Sequence, residues 1–365
     1  MASDFDASRR PTRPAVTDPD VQAFAAKTFG DLGGLLVATM VVIGDQLGLY
    51  RALDAAGPLT GAELAKRTGT AERYVREWCA AQAAAEYLTY DAATSRYALP
   101  PAHAVVLVDE DSPACMLGGF EGMFAATRIV PKILEAFRSG AGVGWDEHDP
   151  ALFHGTERFF RPAYQAHLVS EWIPALEGVQ AKLDAGARVA DVGCGHGAST
   201  LIMAHAFPRS TFVGFDYHPP SVERARDAAH DAGVADRVRF EIASAKTFSG
   251  SDYDLVACFD CLHDMGDPVG VARRVHEVLR PDGTWLVVEP YAEDEVEKNL
   301  NPIGRVFYSA STLVCTPASL AQEVGLALGA QAGEARLRAV MKEAGFTRVR
   351  RATATPFNLV LEARP

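Results

Sequence analysis

Positive charge is scarce in this 365-residue sequence, where 35 Lys and Arg stand against 47 Asp and Glu for a formal net charge of −12. That balance leaves no surplus of cations to displace counterions from phosphates, which argues against a nucleic-acid-binding surface and against anionic membranes. Long apolar runs are lacking too. The longest, Leu35 to Ile43, has nine residues and is broken by Thr39, well short of the roughly 18 needed to cross a bilayer. Residues 1–20 hold Arg9, Arg10, Arg13 and several prolines but no apolar centre, so they read as a disordered tail and not as a secretory signal. Cysteine is sparse and scattered, with six in all (Cys79, Cys115, Cys194, Cys258, Cys261, Cys315). Cys258 and Cys261 form a C-x-x-C, yet no second ligand pair stands at a zinc-site spacing. Small core residues are the simpler reading for both, and the scatter fits a reducing cytoplasm.

The length allows two domains with sizeable cores. Residues 21–110 read as a small helical domain. Leu32 to Tyr50 is apolar almost all round, which predicts a helix buried in the fold or against a partner chain. Thr60 and Glu63 make a capping box for the helix that follows. Gly69 and Thr70 form a turn, Ala71 to Trp78 a second helix, and Glu86 to Leu99 two short strands, which together predict a winged helix-turn-helix. DNA recognition would need a basic face. Between Thr60 and Glu86, however, Lys66, Arg67, Arg73 and Arg76 are matched by Glu63, Glu72, Glu77 and Glu86.

Residues 111–186 are mostly helical, interrupted by a glycine-rich stretch from Gly140 to Pro150 that reads as a flexible loop. Trp145, His154 and Tyr164 lie in or after it and are candidates to roof a substrate pocket, with helix–helix packing as the alternative for the neighbouring aromatics.

The most informative stretch is Arg188 to Thr200, RVADVGCGHGAST. A short buried strand ends in Gly193-Cys194-Gly195-His196-Gly197, and a helix follows. This opens a βαβ unit in which a ligand lies against bare backbone. The next strand ends in Asp216, an acid placed to accept both hydroxyls of a ribose. A nicotinamide or flavin dinucleotide would call for G-x-G-x-x-G, but here Asp191, Gly193, Gly195 and Gly197 spell D-x-G-x-G-x-G. That pattern resembles the class I S-adenosylmethionine-dependent methyltransferases, and the resemblance extends over residues 187–365.

The resemblance implies a Rossmann-like α/β fold with a seven-stranded sheet in the order 3-2-1-4-5-7-6 and an inserted lid at about 291–333 carrying Tyr308. It implies S-adenosylmethionine as cofactor, held by Asp191, Gly193, Cys194, Gly195, Gly197, Asp216, Tyr217, Ser244, Ala245, Phe259 and Asp260. Ser244 departs from the family, which often offers an Asp to the adenine there. Leu262-His263-Asp264 resembles the catalytic segment of winged-helix O-methyltransferases. By that likeness His263 is the general base, Glu289 orients it and Asp264 stands beside it, while Met265 replaces a tryptophan. A structural histidine is the alternative. So is a metal held by His263 and Asp264 for an α-keto acid C-methyltransferase, with no obvious third ligand unless His148 or His154 folds over the site; no metal is expected. Many relatives use the winged domain to dimerise. The expectation is a cytoplasmic homodimeric enzyme acting on a small-molecule aromatic or enolic hydroxyl, without nucleic-acid or membrane partners. The competing reading is a non-catalytic DNA-binding regulator.

Overall fold

The computed structural model describes residues 13–365. The expected N-terminal tail lies largely outside the described residues, and Pro19 already opens a helix. The chain divides between Pro100 and Pro101 into two compact units.

The first unit holds α1 (Pro19–Gln46), α2 (Leu49–Ala56), α3 (Gly61–Thr68), α4 (Glu72–Ala84) and a hairpin of β1 (Thr89–Asp91) and β2 (Arg96–Ala98). Asp18 caps α1 by accepting the Asp20 N–H, and Pro19 suits the first helical position because its missing donor is not needed there. The capping box of α3 forms: Thr60 Oγ1 accepts the Glu63 N–H at 3.2 Å, and Glu63 Oε2 accepts the Thr60 N–H at 2.8 Å. Gly69 ends that helix at φ 67°, a left-handed conformation that disfavours a side chain. Antiparallel pairing of β1 with β2 completes a winged helix-turn-helix.

The apolar stretch from Leu32 differs from the single helix expected, and of its two expected covers, the fold or a partner chain, the fold supplies little. Gly48, at φ 68°, breaks it into two helices. Only the end of α1 is buried, at Val41, Val42 and Gly44, where the Trp78 indole donates to Met40 O at 2.8 Å. Phe24, Phe29, Leu32, Leu35 and Leu36 are exposed. Among the described residues α1 is also the one helix long and apolar enough to cross a membrane. Glycine, alanine and threonine extend its uncharged stretch beyond the nine-residue run visible in the sequence.

The second unit begins with α5 (Pro101–Leu107), α6 (Leu117–Ala126), α7 (Val130–Ser139), α8 (Pro150–His167) and α9 (Val179–Ala185). Then come β3 (Arg188–Val192), α10 (Ala198–Ala206), β4 (Thr211–Asp216), α11 (Pro219–Asp231), β5 (Val238–Ile242), β6 (Tyr253–Phe259), α12 (Pro268–Val278) and β7 (Leu279–Pro290). An insertion with α13 (Pro302–Ala310) and α14 (Thr316–Leu320) precedes α15 (Glu334–Glu343), β8 (Arg348–Ala354) and β9 (Asn358–Arg364). The sheet order is β5-β4-β3-β6-β7-β9-β8, parallel from β5 to β7, with β9 antiparallel to both neighbours. Counted within the sheet this is the expected 3-2-1-4-5-7-6.

Helices cover both faces, so every residue of β6 is buried and the strand reads as a continuous apolar run. One face packs Trp172, Leu183, Met203 and Phe240, and the other packs Val275, Trp285 and Leu337. Pro281-Asp282-Gly283 forms an irregularity inside β7. Tyr253 pairs with Leu279, yet Leu255 pairs with Thr284.

Candidate active site

The parallel strands β3 to β7 end on one edge of the sheet, beside the point where strand order reverses between β3 and β4 on one side and β6 on the other. Open sheets bind ligands at such a crevice. There β3 delivers the Gly193–Gly197 turn, β4 Asp216 and Tyr217, β5 Ser244 and Ala245, β6 Asp260 to Asp264, and β7 Glu289.

The glycines of the turn are needed for different reasons. All three have positive φ (77°, 51° and 84°). A Cβ on Gly193 would lie 2.7 Å from Cys261 Sγ, and one on Gly197 would lie 2.6 Å from the Phe240 ring, whereas a Cβ on Gly195 would meet nothing within 4 Å. The open space over Gly195 is where a ligand can approach the backbone. Four of the five N–H groups of the turn are used inside the protein. Gly193 and Cys194 donate to Phe215 O, Gly195 to Asp216 Oδ2 at 2.9 Å, and Gly197 to Cys194 O. Asp191 fixes the turn to the next helix, its Oδ2 accepting Ser199 Oγ at 2.7 Å and Thr200 Oγ1 at 2.6 Å. Burial raises the Asp191 carboxyl to about 6. Asp216 accepts the Gly195 and His218 N–H groups through its two oxygens, and burial raises its pKa as well. Tyr217 and Ser244 are exposed, Ala245 half-buried and Phe259 buried.

Asp260 adopts φ 49°, unusual for a residue with a side chain. Its carboxylate accepts Tyr164 Oη at 2.8 Å and Asn358 Nδ2 at 3.2 Å. Burial, reinforced by the nearby Glu289 charge, raises it to about 8. Tyr164 is thereby placed at the end of β6 against Phe259 and not in a roof. His154 is likewise drawn away from His263, since its Nδ1 pairs with Glu121 at 2.8 Å on the half-exposed side of α8.

His263 is buried. Its Nδ1 is bonded to Glu289 Oε2, and Glu289 Oε1 accepts the Leu262 N–H at 2.8 Å. Nε2 faces Asp264 Oδ1 at 3.1 Å, a charge contact without hydrogen-bond alignment, which leaves that oxygen unpartnered. Burial alone would lower the imidazole pKa, but Asp264 and Glu289 outweigh it and hold the ring well above its ordinary range.

The insertion between β7 and α15 packs on this segment. Gln322 Nε2 donates to Asp264 O at 2.9 Å, Ser319 Oγ to Met265 O at 2.9 Å, and the Leu326 N–H to Gly266 O at 2.9 Å. The stretch from Gly140, expected as a free loop, is docked on the same insertion: the Val143 N–H donates to Pro317 O at 3.0 Å, and Gly142 lies so close to Ala321 that no side chain would fit. Trp145 packs on the same apolar cluster as Cys315 and Phe307, and its ring contacts Phe153, which in turn contacts His218 beyond β4. Tyr308, half-buried on α13, belongs to the lid. Asn358, Cys315 and the Glu157–His196 pair, 3.2 Å apart, also stand at the site. Only topology brings them there, and no local spacing announces them.

Family models match residues 183–344 as a methyltransferase domain and residues 36–109 as an Rv2258c-like winged helix-turn-helix domain. The 27-O-demethylrifamycin SV methyltransferase of Amycolatopsis mediterranei is 40% identical over 103 residues, 28% of this chain and 38% of that protein. A ubiquinone biosynthesis O-methyltransferase of Bordetella avium is 31% identical over 155 residues, 42% of this chain and 58% of its own length. The chain thus spans under two thirds of either relative. Likeness to solved structures extends over nearly the whole chain. The mitomycin 7-O-methyltransferase MmcR superposes with a TM-score of 0.70 at 22% identity, covering 95% of this chain and 99% of that one. Human N-acetylserotonin methyltransferase, solved with S-adenosylmethionine, gives 0.69 at 18% identity and covers 96% and 99%. At these identities the shared property is the fold. The chain therefore joins a winged helix-turn-helix domain of the Rv2258c-like type to a methyltransferase domain.

Proposed function

We propose that the protein transfers a methyl group from S-adenosylmethionine to an aromatic or enolic hydroxyl of a small molecule. The internal use of the N–H groups in the Gly193–Gly197 turn carries this reading. A dinucleotide would need those donors for its phosphates. A turn that has spent them offers Cα surface and carbonyl oxygens, which suit a cationic sulfonium. Asp216 holds the ribose, Asp191 and Cys194 keep the turn in shape, and Tyr217, Ser244 and Ala245 border the adenine. Phe259 and Asp260 close the β6 side. The rifamycin and mitomycin methyltransferases named above support oxygen as the acceptor atom.

Methyl transfer is a direct displacement at carbon, so the protein chiefly orients the acceptor and excludes water. Trp145 and Tyr308 wall the acceptor side. His263, aligned by Glu289, takes the hydroxyl proton as the oxygen attacks the methyl carbon and the sulfur leaves with its electron pair as S-adenosylhomocysteine. Because Asp264 and Glu289 favour the protonated ring, the base form grows toward alkaline pH, and turnover should rise with it. Release of S-adenosylhomocysteine in the presence of a panel of phenols and enols tests the proposal. If the cofactor gave neither heat nor a melting shift, the proposal would fail.

The winged domain serves assembly in this reading. Arg73 pairs with Glu77, Arg76 with Glu72 and Arg96 with Glu63, so these three cations face acids of their own domain. The exposed apolar residues of α1 suit a second copy of the chain. The bond from the Trp78 indole to Met40 O holds the C-terminal end of the helix to its own domain.

A further inference from the structure

We infer that His148 binds the methyl acceptor, and that His148 and Asp264 together select acceptors carrying a second hydroxyl on the carbon next to the one that is methylated. The inference rests on the proposed methyl transfer for the identity of the reacting oxygen. It names the class of molecule that brings that oxygen, a vicinal dihydroxy aromatic or its enolic equivalent.

His148 is 5% exposed, and neither of its ring nitrogens has a hydrogen-bond partner. Buried polar atoms are seldom left in that state, because each forfeits its bonds to water without replacement. The ring is not loose. On one side Glu147 is held by Lys132 of α7 at 2.6 Å. On the other, Asp149 is bonded to Arg128 and caps α8 by accepting the Ala151 N–H at 2.9 Å. Of these three consecutive side chains the imidazole is the one that faces inward.

The space it faces is the acceptor side of the site. Its ring lies 6.2 Å from that of Trp145, which packs on the cluster containing Cys315. Cys315 Sγ, a nitrogen of His263 and a carboxylate oxygen of Asp264 lie within 4.8 Å of one another, and the Asp264 charge acts on the His148 ring. Oδ1 of Asp264 is also without a hydrogen-bond partner. Unpaired polar atoms therefore stand on two walls, one from the loop that starts at Gly140 and one from the segment after β6.

Their chemistry decides what fits between them. Burial holds the His148 pKa below its ordinary range, so the neutral ring has one N–H to give and one bare nitrogen. A carboxylate oxygen only accepts. The group that answers both is a hydroxyl, which donates to Asp264 and accepts from His148. An ether or carbonyl oxygen would satisfy His148 but turn a lone pair toward Oδ1, and a hydrogen would leave both unpaired. The spacing puts this hydroxyl beside the reacting one. Oδ1 is 3.1 Å from Nε2 of His263, the atom that takes the acceptor's proton, and hydroxyls on adjacent ring carbons can meet two such atoms side by side. The reacting oxygen gives its proton to His263 and takes the methyl group. Its neighbour keeps its proton, held on Asp264, and stays unmethylated.

The test uses the full chain saturated with S-adenosylhomocysteine and titrated in a calorimeter with 2,3-dihydroxynaphthalene, 2-naphthol and 3-methoxy-2-naphthol. The diol should bind about 100-fold more tightly than 2-naphthol, which leaves both buried groups unpaired, and the methyl ether should be as weak as 2-naphthol. His148→Phe keeps a ring in place and should cut diol affinity about tenfold or more, with 2-naphthol within threefold of the parent. His148→Gln retains a donor and an acceptor and should restore most of the preference. A merely structural histidine would weaken all three probes alike. Equal affinity for diol and 2-naphthol in the unaltered protein, or no binding of the diol, overturns the inference without recourse to a variant. A preference that survives His148→Phe in full does so too. Cofactor binding without a preference for the diol sinks this inference alone. If S-adenosylhomocysteine itself fails to bind, the methyl-transfer reading falls, and the same preference and its loss are then sought on the cofactor-free chain.

Discussion

Replacing Asp216 with alanine should cost the protein most of its affinity for S-adenosylhomocysteine. In the present structure the carboxylate accepts two backbone N–H groups, from Gly195 and His218, both at 2.9 Å. Each carboxylate oxygen has a second lone pair, and those two remain for the ribose hydroxyls. A hydrogen bond to a charged acceptor contributes about 2 kcal/mol. Releasing the Gly195 N–H adds about 1 kcal/mol for a turn that must then be ordered by the ligand. With both ribose bonds lost, the sum is about 5 kcal/mol, a roughly 4,000-fold rise in Kd. Asp216→Asn keeps one acceptor oxygen and should lose only about tenfold, on the order of 1.4 kcal/mol. Isothermal calorimetry reads both, with thermal melting as the check that each variant is folded. An alanine variant that melts normally and binds within threefold of the parent would refute the ribose assignment and the reasoning behind it.

The other expectations concern the base, the buried acid and the exposed helix. His263→Ala should lower turnover by about 100- to 10,000-fold while leaving the cofactor Kd within threefold; retained turnover would remove the histidine from the chemistry. The initial rate should increase with pH through neutrality, and Asp264→Asn, by deleting one of the carboxylates that favour the imidazolium, should move that increase to lower pH. Asp191 has a folded pKa raised from 3.8 to about 6, so the native state holds its proton more tightly than the unfolded chain does. The stability it contributes, about 3 kcal/mol, is complete below pH about 4 and lost as pH rises through about 6. Melting curves of Asp191→Asn should therefore fall less over that interval than those of the parent, and parallel curves would contradict the burial argument. On α1, Leu35→Glu with Leu36→Glu should convert a dimer into a monomer in light scattering. Sedimentation of the unaltered protein with lipid vesicles would instead assign the helix to a membrane.

Much of this protein is decided locally, and so was legible in the sequence. The strand, glycine turn and helix from Arg188 to Ala206 follow from hydrophobic run, positive-φ residues and helical spacing within one short window. The capping box of Thr60 and Glu63 is a matter of three residues. The alternation of strands and helices after Gly186 is also local, while the order of the strands in the sheet came from the family resemblance that the glycine turn carries.

Tertiary structure decided what depends on distant partners. Tyr164, read as a pocket roof, is claimed by Asp260, and His154 by Glu121, since a hydrogen bond to a residue 96 or 33 positions away leaves no trace in local pattern. The loop from Gly140 is docked because α14 offers it a carbonyl at Pro317. The apolar helix was expected to be covered by the fold or by a partner chain, and the fold covers only its C-terminal end; periodicity reports how apolar a helix is but not what covers it. The charge on His263 belongs to the same class. Its residue type gives a group that titrates near neutrality, but only the convergence of Asp264 and Glu289 on its two nitrogens fixes the direction in which that titration moves.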